Sequence, residues 1–402
     1  MKKYIKIFAV MLAFVMVIPL TACLNLGGKV SEIKGEKMQS EYITWNGRNY
    51  YHETTGLNYF FYASSGFTVD FIGTELEATF FGTQYASSSK RPVFAVTVDE
   101  MLVGDNKIKL NKSQKKVVLD ESVVKLTEST LNSSIGANYH TVKLVEGLEN
   151  TSHTVTVYKL GEATDNTTAL KSLKTDGKFL KQSSDDRLVV EIMGSSGITG
   201  HGALSYSSNA NETRTSSNSF GMFSLAGLAS LMINANTTFM SISGWTLVDN
   251  GNNIPGIYDY MGRTENGVFK IDGEIVPYSH SKVDIVIINV GGNDNASDLE
   301  TRQPQKTKEF SQKILTEHPN AKIIWTGRGN YGSRISSGVV ELNNANVVYV
   351  GPIEQYGGEN KDHYGANNHA SIVTQLKNAN MIITKLASMG IQKQRTITIQ
   401  EV

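Results

Sequence analysis

The 402-residue chain has one cysteine, seven prolines and no net charge, with 38 basic side chains against 38 acidic ones. A single cysteine cannot close an intramolecular disulfide, build a cysteine-rich zinc site or form a C-x-x-C redox pair. Zero charge without a lysine- or arginine-rich run denies the chain the electrostatic footprint of a nucleic-acid-binding protein, so no nucleic-acid partner is expected. It has no HExxH sequence and no carboxylate-rich ion loop, and its glycine-rich turn lacks the lysine of a P-loop. Metal ions and cofactors are therefore not expected. No apolar run reaches the roughly 20 residues of a comfortable membrane span. What the chain does have is 40% apolar residues, enough for two or three ordinary domains with real cores. Oligomeric state is not fixed by the sequence, and a monomer is the default.

The position of the lone cysteine is informative. Lys2, Lys3 and Lys6 precede an apolar run of 14 residues, Ile7 to Leu20, which has the length of a secretory leader. Leu20-Thr21-Ala22-Cys23 then resembles a bacterial lipobox, in which the cysteine thiol is lipidated and becomes the mature N-terminus. Residues 1–22 are thus expected to be a lipoprotein signal peptide, with Cys23 anchoring the exported protein to the outer face of the bacterial cell membrane. An ordinary signal peptide, or a short anchor helix with an incidental cysteine, is the competing reading. Processing at Cys23 leaves 380 residues with 35 basic against 38 acidic side chains. Residues 23–40 are polar, contain Gly27-Gly28, lack apolar periodicity and read as a tether.

Two textures follow. From about 41 to 180 the chain shows short alternating runs, such as Phe67-Thr68-Val69-Asp70-Phe71 and His153-Thr154-Val155-Thr156-Val157-Tyr158, at spacings of about ten residues. This is the pattern of an antiparallel β-sandwich. From 181 to 402 strand and helix alternate. Leu188–Met193 and Val283–Val290 read as strands of the kind a parallel sheet buries on both faces. Further strands are expected at Thr238–Ile242, Lys322–Trp325 and Val347–Val350, and helices at Phe220–Ile233, Lys306–Thr316 and Ala370–Leu386. The pattern predicts a doubly wound α/β domain with its ligand beyond the carboxyl ends of the strands.

Polar, turn-prone residues cluster at those strand ends. Gly194-Ser195-Ser196-Gly197 follows the first strand, Ser243-Gly244-Trp245 the second and Gly291-Gly292-Asn293-Asp294 the third, while Gly365-Ala366-Asn367-Asn368-His369 precedes the last helix. A serine needs a neighbouring base to act as nucleophile, and a developing oxyanion needs fixed N–H donors. Ser196 as nucleophile, His369 as base, and the N–H groups of Ser196 and Gly244 with the Asn293 amide would supply both. Asp294 reads as structural. Trp245 and His201 are candidate substrate contacts, with packing the competing role for Trp245.

The order Gly194-x-Ser196, Gly244, Gly291-x-Asn293-Asp294, His369 resembles the four blocks of the SGNH (GDSL-type) hydrolases. With Asn46-Gly47-Arg48, Phe71-Ile72-Gly73-Thr74, Val96-Thr97-Val98-Asp99 and Thr151-Ser152-His153-Thr154-Val155, residues 41 to 388 resemble carbohydrate esterase family two. The resemblance implies a jelly-roll sandwich followed by a three-layer α/β/α SGNH domain, and deacetylation of polysaccharides such as acetylated xylan or mannan through an acyl-serine intermediate. Two positions depart from the family pattern. Ser195 stands where the family has Asp, and Asn367 where an Asp commonly orients the histidine. Asn367 can accept a hydrogen bond from His369 but supplies no charge, so the resemblance leaves either an Asn-assisted triad or a Ser–His dyad oriented by a backbone carbonyl. Asp362 is a weaker candidate for a replacement acid.

Two other classes compete with the acetyl esterase. One is a catalytically weakened or inactive SGNH-like lipoprotein that binds carbohydrate, favoured by the two missing carboxylates. The other is a lipase taking long acyl chains, which would need an apolar insertion that the sequence lacks.

Overall fold

The computed structural model describes residues 29–82, 88–99, 102–119, 124–128, 138–248, 251–355 and 363–402. The expected leader, Cys23 and Asp362 lie outside the described residues.

Alternating side chains build the first domain. In Gly66–Gly73 and Leu76–Gly82 every second residue is buried, as the period-two pattern requires. One antiparallel sheet runs in the order Asn138–Val145, Leu76–Gly82, Thr168–Thr175, Leu57–Phe60, Asn49–His52. The other runs Val124–Glu128, Val93–Val98, Thr151–Leu160, Gly66–Gly73, Lys178–Leu180. Their facing sides share one core that includes Phe60, Phe80 and Leu173 from the first sheet and Phe67, Phe94 and Val157 from the second. Phe80 and Phe94 stack across it with ring centroids 4.2 Å apart. The region is a β-sandwich.

Its edges differ from expectation. Glu32–Lys34 pairs with Thr168–Thr175, and Ile33 and Met38 are fully buried, so the second half of the expected tether is folded onto the sandwich. At the other end Thr398–Glu401, assigned by sequence to the α/β region, pairs in parallel with Lys107–Asn111. The chain therefore finishes against the first domain.

The second domain has a parallel five-stranded sheet in the order Asn236–Ser241, Val189–Gly194, Ile285–Asn289, Lys322–Thr326, Val347–Val350. All five residues of Ile285–Asn289 are buried, because helices cover both faces. Leu225–Met232 packs with Ile372–Ser388, and Leu299–Glu317 packs with Gly329–Leu342. A strand order of 2-1-3-4-5 places the switch point beside the first strand, where a doubly wound sheet opens its ligand crevice. Among the described residues no helix is long and apolar enough to cross a membrane.

Arg48 pins the two domains together. Fully buried, it donates to the carbonyls of Tyr258 and Tyr260 and, at 2.9 Å, to Glu191 on the first parallel strand.

Candidate active site

The first parallel strand ends in a turn with no room for side chains. A Cβ on Gly194 would sit 2.2 Å from the Asn289 carbonyl oxygen, and that same oxygen accepts the Ser195 N–H at 3.1 Å. Only glycine permits this approach. The chain then enters one short helical turn, Ser196–Thr199, which presents Ser196 at the carboxyl end of the sheet.

His369 reaches the same place from the far end of the chain. Its loop is tied to the loop after Ser196: Ala366 N–H donates to the Gly202 carbonyl at 3.1 Å, and Ser207 and Tyr364 exchange backbone hydrogen bonds at 2.9 and 2.7 Å. A Cβ on Gly202, whose φ is +65°, would lie 2.4 Å from the Ala366 nitrogen, so the two loops meet backbone to backbone. Asn367 and Asn368 take φ values of +52° and +57°, a conformation that asparagine tolerates in tight turns.

Ser196, Asn293 and His369 line one pocket of about 110 Å³. Arg328, Tyr331 and Gln375 complete a largely polar wall. Three of the expected site residues are therefore brought together. Gly244 is an exposed turn residue and does not line this pocket.

The side-chain partners revise three expectations. Asn367 does not orient His369 through its amide: His369 Nδ1 donates to the backbone carbonyl of Asn367 at 2.6 Å, leaving Nε2 as the basic nitrogen. The Asn367 side chain turns the other way, its Nδ2 lying 3.3 Å from His201 Nε2. Trp245, only 6% exposed, does not line the pocket and packs with the Arg263 guanidinium 5.0 Å over its ring. A buried indole cannot stack on a sugar. His201 does not line the pocket either. It stands behind His369, ring centroids 4.3 Å apart, with Nδ1 within 3.1 Å of Glu162 and 3.0 Å of Ser243 Oγ.

Glu162 is the residue that sequence reasoning missed. It lies just after the strand Thr151–Leu160 of the sandwich, buried, and accepts the Ser243 N–H at 2.8 Å and the Ser243 hydroxyl at 2.6 Å. Burial alone would raise its pKa, but the His201 contact, the Arg214 charge and the Ser243 hydroxyl hold it down, to about 2. It stays ionised and fastens the turn that carries Gly244. The only local signal was a carboxylate between Gly161 and Ala163 after an alternating strand. Asp294 behaves as expected, accepting from Leu247 and Val248 N–H and from Gln303.

The imidazole of His369 is held neutral. Burial first, and then the neighbouring His201, push its pKa down to about 4. A neutral imidazole with Nδ1 tied to a carbonyl has the tautomer a general base needs. A larger cavity of about 570 Å³, lined by residues such as Thr97, Tyr158, Arg187 and Asn234, lies between the domains away from this pair.

No family model matches the chain, and no curated protein matches it in sequence. Solved structures do match it over both domains. A family two carbohydrate esterase from Clostridium thermocellum in complex with cellohexaose is 19% identical, with a TM-score of 0.65 over 87% of this chain and 99% of that one. An acetyl xylan esterase from the rumen bacterium Butyrivibrio proteoclasticus is 16% identical, with a TM-score of 0.69 over 90% and 100%. The chain has the fold of the family two carbohydrate esterases. A salicylyl-acyltransferase from a tetracycline biosynthetic pathway is also similar, at 13% identity and a TM-score of 0.54 over 88% and 97%. Since this one fold hosts both hydrolysis and acyl transfer, activity has to be argued from the site.

Proposed function

We propose that the protein is a carbohydrate O-acetyl esterase that works through an acyl-serine intermediate and a Ser–His dyad. The observation that carries this is the shared pocket of Ser196 and His369, in which the imidazole is oriented by the Asn367 carbonyl. Ser196 Oγ attacks the ester carbonyl while His369 Nε2 takes its proton. The oxyanion is held by the N–H groups of Ser196 and Gly244 and by the Asn293 amide, each donor contributing about 3–4 kcal/mol in comparable sites. Expulsion of the sugar hydroxyl, protonated by His369, leaves acetyl-Ser196, which a water activated by the same histidine hydrolyses. A pocket of about 110 Å³ suits an acetyl group and disfavours a long acyl chain. The polar wall around Arg328 and Gln375 suits the hydroxyls of a sugar. In this reading the sandwich is a jelly roll, the substrate is an acetylated polysaccharide or oligosaccharide, and Cys23 tethers the exported enzyme to the membrane.

The absence of an Asp at positions 195 and 367 favours a second reading, a lipoprotein that binds carbohydrate without cleaving it. Hydrolysis of an aryl acetate by the purified protein, with Ser196→Ala beside it, separates the two. The esterase gives turnover that Ser196→Ala abolishes and a covalent adduct at Ser196 with a serine-directed phosphonate. Full activity in Ser196→Ala would overturn the acyl-serine mechanism, and no turnover with retained glycan binding would establish the binding protein.

A further inference from the structure

Towards the amino ends of the parallel strands, away from Ser196, three side chains from distant parts of the chain converge. Glu191 belongs to the strand Val189–Gly194, His280 lies in the segment leading into Ile285–Asn289, and His318 follows the helix Leu299–Glu317. One nitrogen from each imidazole and one carboxylate oxygen lie within 4.8 Å of one another. No sequence motif announces the group, since 89 and 38 residues separate its members. His280 and His318 are both largely buried in the second domain.

Among the described residues the hydrogen bonding at this cluster is incomplete. Glu191 is 2% exposed; its Oε1 accepts from Arg48, while Oε2 has no partner. His318 is 5% exposed, and its Nε2 has none. Neither ring nitrogen of His280 makes a hydrogen bond, although Asp259 Oδ1 lies 3.5 Å from its Nε2. Buried polar atoms are nearly always paired, so several orphans within one three-residue cluster point to an absent partner. Two imidazoles with one carboxylate form the donor set of zinc sites that keep a fourth position open. Nitrogen donors favour zinc and its neighbours over magnesium or calcium.

The surroundings fit a cation. A cavity of about 190 Å³, lined by His280, Asp284, Glu317 and His318 among others, adjoins the two histidines. Arg48 offsets the Glu191 charge and Lys313 pairs with Asp259, so the added charge of an ion would be met by Glu317 on the cavity wall. With Nδ1 of His280 turned to the metal, Asp259 can accept the proton of the other nitrogen, a common outer-shell arrangement.

We propose that Glu191, His280 and His318 bind a zinc-type divalent cation through one carboxylate oxygen and two imidazole nitrogens, with water at the fourth position. Bond lengths of about 2.0–2.2 Å mean that the three side chains draw inward on binding. Arg48 of the sandwich holds the other oxygen of the same carboxylate, so the ion clamps strand, loop and helix end where the two domains meet. The site is independent of the esterase reading.

The test is calorimetric titration of chelator-treated full-length protein with zinc chloride, beside His280→Ala and His318→Ala variants whose folding is checked by circular dichroism. One saturating equivalent is expected in the parent protein, accompanied by a higher thermal midpoint. Each histidine variant should lose that binding by more than about tenfold, and Asp259→Asn should weaken it by about 10–100-fold. If the histidine variants do not fold, metal content of the parent protein as isolated and the effect of chelator on its thermal midpoint decide. No saturable binding, or binding unchanged in both histidine variants, would overturn the site and leave the orphaned atoms to buried water.

Discussion

His369 donates its Nδ1 proton to the backbone carbonyl of Asn367, 2.6 Å away, and so takes its orientation from the main chain rather than from a side chain. A peptide carbonyl fixes the ring and the tautomer but carries no charge with which to stabilise an imidazolium. The identity of residue 367 should therefore matter little, provided that the left-handed turn survives.

Asn367→Gly tests this, because glycine adopts the φ of +52° without strain. The variant keeps the carbonyl and loses only the side-chain contact to His201. We expect kcat on an aryl acetate to fall by about tenfold or less, the scale of one neutral hydrogen bond at about 0.5–1.5 kcal/mol. Removing a charged triad partner costs about ten-thousandfold in comparable enzymes. A drop of that size would show that the Asn367 side chain, not its carbonyl, serves as the third member.

The pH profile follows from the crowded pair of histidines. His369 must be neutral to accept the Ser196 proton, and its pKa is pushed down to about 4 from the ordinary 6.5 by burial and by His201. The acid limb of kcat/KM, which reports the free enzyme, should then fall near pH 4 and not near 6.5. His201→Phe preserves the bulk and removes the neighbouring imidazole that helps push the His369 pKa down, so its limb should move to higher pH. A parent enzyme already half-inactive at pH 6.5 would show that burial does not hold the base neutral.

Much of this arrangement was legible in the sequence and part of it was not, for physical reasons. Strands such as Val93–Val98 and Val347–Val350 were readable because their apolar pattern is local and uninterrupted. The helix Gly329–Leu342 was not, since three glycines lower its helix propensity. Two of them serve packing: a Cβ on Gly338 would lie 2.4 Å from the Pro304 carbonyl oxygen of the neighbouring helix, and one on Gly332 would lie 2.8 Å from the Gly327 carbonyl carbon. Ser196, Asn293 and His369 were readable because each ends a recognisable strand or opens a helix. Glu162 and the role of His201 were not, because their partners lie 39 and 81 residues from Glu162 and in the other domain. The same holds for the Arg48–Glu191 pair, 143 residues apart.

Glu162 gives a prediction with two readouts. Glu162→Gln keeps the shape but removes the charge that faces His201 and Arg214 and one acceptor lone-pair site beside Ser243. Leaving such a group incompletely paired costs about 1–3 kcal/mol of stability. Because the folded pKa of Glu162 is depressed to about 2 from 4.5, its contribution is fully present above pH 4.5 and is lost as pH falls towards 2. Denaturant midpoints should therefore separate the two proteins at pH 7 and converge near pH 2. In kinetics kcat should fall more than KM rises, since the turn bearing Gly244 loosens without changing the pocket that receives the sugar. Equal stability at both pH values would mean that the carboxylate is dispensable to the fold.

The domain junction can be tested through Arg48, in chelator so that no bound metal contributes. Arg48→Leu strands the Glu191 carboxylate in an apolar interior and removes two donors from the carbonyls of Tyr258 and Tyr260. Breaking a buried ion pair from one side typically costs about 3–5 kcal/mol. Adding Glu191→Leu removes the stranded charge, so the double variant should be more stable than Arg48→Leu alone, although the two carbonyls remain without their donor. The coupling between the positions, read from urea unfolding of the four proteins, is then large and favourable to the pair. If the two losses simply add, Arg48 acts through the Tyr258 and Tyr260 carbonyls alone, and its salt bridge to Glu191 contributes nothing to holding the sandwich on the α/β domain.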